Sequence, residues 1–250
     1  MPDKAIDMIN QVHSRKVTFQ WLRSTFKSDN GLKDTLNYGH AIIDNAKKLD
    51  QYLYTYGPMI ESQWDNVDQY LSQFAIPTRI IDYGCGQGLA GVLLNDLTTG
   101  NLIASANEIF LIEPSAVALA RAEALYQRIA PTATVISICK QFDDLSESDV
   151  STAATGQTLH VFSNSLDVLG FDPLKLFMKT MGAGDHTILS VSHDRDFNGG
   201  TPRIEFVKAA FEDPSMEGAL TIHRSELQRF TCDNGSAGVS WICELEVEDD

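Results

Sequence analysis

Short β-branched runs alternating with helical patterns from Arg79 onward predict a doubly wound α/β protein, a mostly parallel sheet with helices on both faces. Two further observations complete that expectation. The chain closes with two long strand-like stretches around Asp233-Asn234-Gly235, which is turn chemistry for an antiparallel β-hairpin. Residues 1–76 carry no strand-like run and are rich in helix formers, so a helical N-terminal cap precedes the sheet. The expected division is a cap over residues 1–76 and an α/β domain over 77–250.

In the cap, Leu36, Ala41, Ile42, Ala46 and Leu49 recur at helical spacing, while Asn30-Gly31 and Tyr56-Gly57-Pro58 punctuate it. Two to four helices are expected there. Beyond it, the strand candidates are Arg79–Tyr83, Glu108–Ile112, Thr134–Cys139, Thr158–Phe162 and Thr187–Val191. Helices are expected at Leu89–Leu97, Ser115–Ile129, Pro173–Met181 and Pro202–Phe211, with Ser115 as an N-cap ahead of an alanine-rich run. The terminal strands are Leu220–Thr231 and Val239–Val247, and the acidic end from Glu244 is the one stretch that suggests disorder.

At 250 residues and 43% hydrophobic, the chain can bury a sizeable core. Its 34 acidic residues against 19 basic give a formal net charge of −15. Such a surface repels phosphate backbones, and no run of Lys or Arg exceeds two residues. Nucleic acid and anionic membrane are therefore poor partners. Cys85, Cys139, Cys232 and Cys243 show no metal-binding spacing, no metal site is expected, and all four are read as buried free thiols in a reducing compartment. The N-terminus has charges where a signal peptide needs an apolar stretch, so the expected location is cytoplasmic.

The chemistry concentrates in RIIDYGCGQGLAG, residues 79–91, where a strand feeds a glycine-rich turn and a helix. Gly86-Gln87-Gly88-Leu89-Ala90-Gly91 is a GxGxxG dinucleotide fingerprint, with Glu113 about 20 residues on as a ribose ligand should be. The same residues also parse as DxGxGxG from Asp82 to Gly88. Charge separates the two parses. An aspartate at the strand end repels a pyrophosphate, whereas it favours the ammonium and sulfonium of S-adenosylmethionine.

This combination resembles the class I, Rossmann-like S-adenosylmethionine-dependent methyltransferases over residues 79–247, carried by IIDYGCGQG, FLIEPS, VISICKQFDDL, LHVFSNSLDV and the terminal hairpin. The resemblance implies S-adenosyl-L-methionine as cofactor, lined by Gly84, Cys85, Gly86 and Gly88, with Asp82 at its amino-acid end. Glu113, followed by Pro114, would hold both ribose hydroxyls. Where the family commonly places an acidic residue that reads the adenine, this chain has Gln141, then Phe142 to pack on the ring. Ser163 at the fourth-strand end and Tyr56 in the aromatic cap segment complete the implied cofactor set, and Trp64 is expected to wall the acceptor pocket.

Methyl transfer is a displacement that positioning can drive, with a base needed only for acceptors that lose a proton. His193 is the candidate base, with Asp167 or Asp194 as its orienting partner; His160 lies at the wrong end of the sheet and is read as structural. The fourth-strand segment lacks the Asn/Asp-Pro-Pro-aromatic signature of nucleobase amino methylation, and no cysteine is placed for cytosine methylation. The expected function is methyl transfer to a small-molecule or protein acceptor. The alternatives are a catalytically silent binding module, an RNA methyltransferase using a partner's basic surface, and an NAD-dependent oxidoreductase. No motif names the acceptor or the oligomeric state.

Overall fold

The computed structural model describes residues 3–26, 29–39, 41–150 and 156–249. Four helices come first: α1 (Lys4–Gln11), α2 (Phe19–Thr25), α3 (Ala46–Asp65) and α4 (Asp68–Leu71). Asp3, Thr18 and Asn45 cap the first three, each accepting a backbone N–H with its side chain. The alternating region then runs β1 (Arg79–Tyr83), α5 (Leu89–Leu97), α6 (Asn101–Ala104), β2 (Glu108–Ile112), α7 (Ala116–Ile129), β3 (Thr134–Ile138), β4 (Thr158–Ser163), α8 (Pro173–Thr180), β5 (Gly184–His193) and α9 (Gly200–Phe211). It closes with β6 (Leu220–Thr231) and β7 (Ala237–Val247).

These strands form one seven-stranded sheet in the order β3-β2-β1-β4-β5-β7-β6. The pairs among β1 to β5 are parallel; β7 is antiparallel to both β5 and β6. The fold is Rossmann-like, mostly parallel and finished by an antiparallel hairpin. Because β1 pairs with β2 on one side and β4 on the other, the chain order reverses across β1. That arrangement opens a crevice beyond the carboxyl ends of these strands, where open α/β sheets bind ligands. Register brings Tyr83 level with both Ile112 and Phe162, so the ends of all three strands reach the crevice together.

Both sheet faces are covered. On one, Leu53, Ile60 and Trp64 of α3 share a core with Ile80, Leu111, Leu125 and Leu189. On the other, Ile81, Phe162, Leu176, Val207 and Trp241 pack together. All five residues of β1 are buried, the pattern of a central parallel strand. Each such large apolar side chain contributes roughly 1.5–3 kcal/mol on leaving water.

Several sequence expectations are corrected. Tyr56-Gly57-Pro58 does not interrupt the cap: α3 runs through it for 20 residues, with Pro58 inside. The buried stripe of Leu49, Leu53, Ile60 and Trp64 outweighs the hydrogen bond that proline cannot donate. Conversely, the stretch through Ala41 and Ile42 is not helical, and Ile42 is exposed. β5 is twice the expected length, because β7 pairs along it from Gly184 to His193. The acidic end is ordered into β7 as far as Val247. Cys85, Cys232 and Cys243 are buried free thiols, but Cys139 is exposed, just past the end of β3. Among the described residues, no helix is long and apolar enough to cross a membrane.

Candidate ligand site at the glycine turn

β1 delivers Asp82 to the crevice floor and then the chain turns sharply. Gly84, Gly86 and Gly88 all adopt positive φ. At Gly86 (φ 52°) a Cβ would meet nothing within 4 Å, so the bare backbone faces open space. Gly91 is required for a different reason: its Cβ would fall 2.2 Å from the Tyr126 ring of α7. That close approach lets the Tyr126 hydroxyl pass beneath the turn and donate to Asp82 Oδ2 at 2.7 Å.

Asp82 is fully buried, and its Oδ1 has no hydrogen-bond partner. Loss of hydration raises its pKa to about 7; the Tyr126 hydrogen bond opposes that shift and the nearby Glu113 charge adds to it. Glu113 directly follows β2, and its Oε2 accepts the Gly86 N–H at 3.1 Å while Oε1 accepts the Ser115 N–H at 2.8 Å. Desolvation raises its pKa as well, against those two backbone hydrogen bonds. Glu113 is therefore the strut of the turn, and its oxygens keep further lone pairs for a ligand.

A small cavity of about 40 Å³ lies over this floor, lined by Asp82, Gly84, Cys85 and Gly86, by Ser163 of β4, and by Tyr52 and Ile60 of α3. The sequence singled out Asp82, Gly84, Cys85, Gly86 and Ser163, and the structure brings these five to one place. Gly88 sits at the start of α5 against Ala122. Tyr56 is not among the lining residues: Tyr52, one helical turn earlier, takes that position, with the Tyr56 ring packed on it at 5.1 Å. Burial raises the Tyr52 pKa, and Glu113, Tyr56 and Asp167 add to the shift.

After β3, Phe142 lies 3.5 Å from where a Gly84 Cβ would be and packs edge-on to Tyr83 and Phe171. Gln141 is exposed and makes no capping hydrogen bond. The Pro114 carbonyl accepts from the Cys139 thiol. Trp64 is not an open pocket wall: it is fully buried, and its indole donates to Ser163 Oγ at 3.1 Å.

The expected His193 pairing is also corrected. Asp167 accepts from Ser192 and Arg195, at 3.1 and 2.9 Å, and Asp194 accepts from Thr201. His193 Nδ1 is buried without a hydrogen-bond partner, so neither carboxylate orients the ring. Its backbone N–H instead donates to Asn164, a positive-φ residue that exchanges hydrogen bonds with Gln63 of α3. His160 is structural, as expected, bonded to Tyr83 and His186.

Sequence reading missed the polar hub behind the turn. Arg121 of α7 is 1% exposed and donates to Asp3, to Asp50 of α3 and to Gln87. Gln87 in turn donates to the Leu49 carbonyl. A lone cation among the alanines and leucines of residues 116–125 was the available signal. At the far end of the sheet, exposed Asp185, His223 and Glu246 bring three ligand-type atoms within 4.8 Å. They lie on three different strands, where no spacing rule reaches.

No family model matches the chain, and no curated protein matches it. Among solved structures, the chain is similar to magnesium protoporphyrin IX methyltransferase from Synechocystis with bound S-adenosylmethionine: 12% identity, 92% of this chain and 97% of that one covered, TM-score 0.44. It is similar to a methyltransferase dependent on S-adenosylmethionine from Aquifex aeolicus, at 13% identity, 73% and 97% coverage and TM-score 0.43. A third such methyltransferase, from Geobacter sulfurreducens in complex with S-adenosyl-L-homocysteine, gives 11% identity, 74% and 90% coverage and TM-score 0.45. All three scores lie below 0.5, and the fold assignment rests on strand order and register.

Proposed function

We propose that the chain is an S-adenosylmethionine-dependent methyltransferase whose cofactor occupies the crevice at the ends of β1, β2 and β4. One observation carries this reading: the buried, unpartnered Asp82 Oδ1 at the floor of a backbone-lined turn. A carboxylate there is matched by an ammonium or sulfonium group and opposed by a pyrophosphate, which sets aside the dinucleotide reading. Asp82 would hold the amino-acid end, Gly86 would let the backbone approach, and Glu113 would take the ribose hydroxyls through lone pairs its two backbone hydrogen bonds leave free. Phe142 would cover the base. When bound, the cofactor supplies an electrophilic methyl carbon on a sulfonium centre.

The residues here then have to exclude water and fix the acceptor in line, which needs no protein nucleophile. The acceptor is proposed to be a small molecule or a protein, since a net charge of −15 disfavours nucleic acid. A binding module without transfer is the second reading, favoured by the missing orienting partner of His193. Calorimetry and thermal stability with S-adenosylmethionine, S-adenosylhomocysteine and NAD, each alone, test the assignment. Binding of the first two and not the third is expected; no binding of either sulfur compound defeats it. Binding with no methyl transfer to any fraction of a cell extract would favour the second reading.

A further inference from the structure

The cavity over Asp82 holds about 40 Å³, room for a few waters, whereas sites for drug-sized ligands enclose roughly 300–1,000 Å³. The hollow is partly open, and a ligand of that size settles more deeply over Asp82 when a wall moves. Two lining residues, Tyr52 and Ile60, belong to α3. That helix is fixed at two ends of different character. At its C-terminal end, Trp64 donates to Ser163, and Gln63 and Asn164 exchange side-chain hydrogen bonds. At its N-terminal end, Asp50 meets Arg121 at 2.9 Å and the Leu49 carbonyl accepts from Gln87.

Between the two ends stand Gly57 and Pro58, inside the helix. Proline donates no hydrogen bond to the preceding turn, so this is where α3 bends at least cost. Asp50 lies about 11 Å along the helix from that pair, so a tilt of roughly 10° there moves it by ~2 Å.

We propose that the segment of α3 before Gly57-Pro58 is a lid over the glycine turn, hinged at that pair and latched by Arg121 through Asp50. Arg121 is a positioning residue: buried on α7, it holds the lid, the turn at Gln87 and the start of α1 at Asp3 in one cluster. Asp3 belongs to a different arm from the lid, and the test uses that difference. The ligand identity rests on the reading of the crevice given above; the hinge and latch do not.

The experiment measures stopped-flow association of S-adenosylhomocysteine with the full-length wild type, D50N, D3N and P58A. Amide hydrogen exchange is followed on the same proteins without ligand. D50N releases the latch and should speed association by about fivefold, while P58A, which restores a backbone donor and stiffens the hinge, should slow it; D3N should stay within about twofold of wild type. In exchange, D50N should loosen residues 49–56 and D3N only residues 4–11. Equal effects of D50N and D3N, or association unaffected by both D50N and P58A, would overturn the lid. If the wild type binds no S-adenosylhomocysteine, the function proposed above fails and the exchange pattern alone decides the latch.

Discussion

Asp82 is a carboxylate that folding buries, with one oxygen bonded to Tyr126 and the other without a protein partner. Its folded pKa of about 7 stands above the ordinary 3.8, so the folded protein holds this proton where the unfolded chain has released it. Its contribution to stability is therefore complete below about pH 4 and is lost as pH rises through about 7. Asp82→Asn mimics the protonated form at every pH. The variant should match wild type in stability, read from urea unfolding, at about pH 4 and exceed it at pH 8, by an amount on the order of a few kcal/mol. A midpoint gap that does not widen between those pH values would mean the side chain is hydrated. The same substitution should weaken S-adenosylmethionine at pH 8, where the ammonium loses its counter-charge. Tyr126→Phe strips the remaining hydrogen bond from Asp82 and should cost about 1–3 kcal/mol of stability, read from the same denaturation curves.

Elements were legible where their signals are local. The glycine turn announced itself because the left-handed region penalises other residues, and Gly91 fits because Tyr126 leaves no space for a Cβ. Gly91→Ala should therefore overpack the α5–α7 contact, cost about 1–3 kcal/mol and disturb the turn, seen as lost stability together with lost ligand binding. Stability equal to wild type would show that α7 can slide away. The mostly parallel sheet and the closing hairpin were also readable, from alternation and from Asp233-Asn234-Gly235, where Gly235 indeed takes positive φ. What escaped is non-local. Pro58 looked like a stop, yet α3 is held by burial against β1, β2 and β5 residues far along the chain. Trp64 looked like a pocket aromatic, yet its indole reaches 99 residues onward to Ser163. Arg121 reads as a solvated helix cation until Asp3 and Asp50 are placed beside it. His193 sat correctly at the end of β5, but the partner expected for it was committed to Ser192 and Arg195.

At the scale of the whole molecule, two buried groups, one on each side of β1, pull stability in opposite directions with pH. Beneath Tyr83, three polar side chains form a fully directed chain. The Gly182 carbonyl can only accept, so His186 Nε2 carries a hydrogen and its Nδ1 accepts; His160 Nε2 must then donate to it, leaving His160 Nδ1 to accept from the Tyr83 hydroxyl. That relay holds with both imidazoles neutral, the form their burial favours. Burial lowers both pKa values; the mutual repulsion of the pair and Arg79 lower that of His160 further, and at His186 Asp185 and the Gly182 carbonyl oppose the shift. A histidine with a depressed folded pKa binds fewer protons folded than unfolded near pH 6. Its stabilisation is accordingly present above the ordinary value of 6.5 and drains away as pH falls below it. Asp82 acts in the reverse sense over much of the same range, so each conceals part of the other in the wild-type profile. Removing one should expose the other: Asp82→Asn should lose stability more steeply than wild type between pH 7 and 5. His186→Gln, which keeps a donor and an acceptor but cannot charge, should lose less than wild type over the same interval. Urea midpoints at half-unit steps of pH would show the two variants bracketing the wild-type slope. Parallel slopes for all three proteins would place the acid sensitivity outside the core, in the repulsion and pairing of the surface charges.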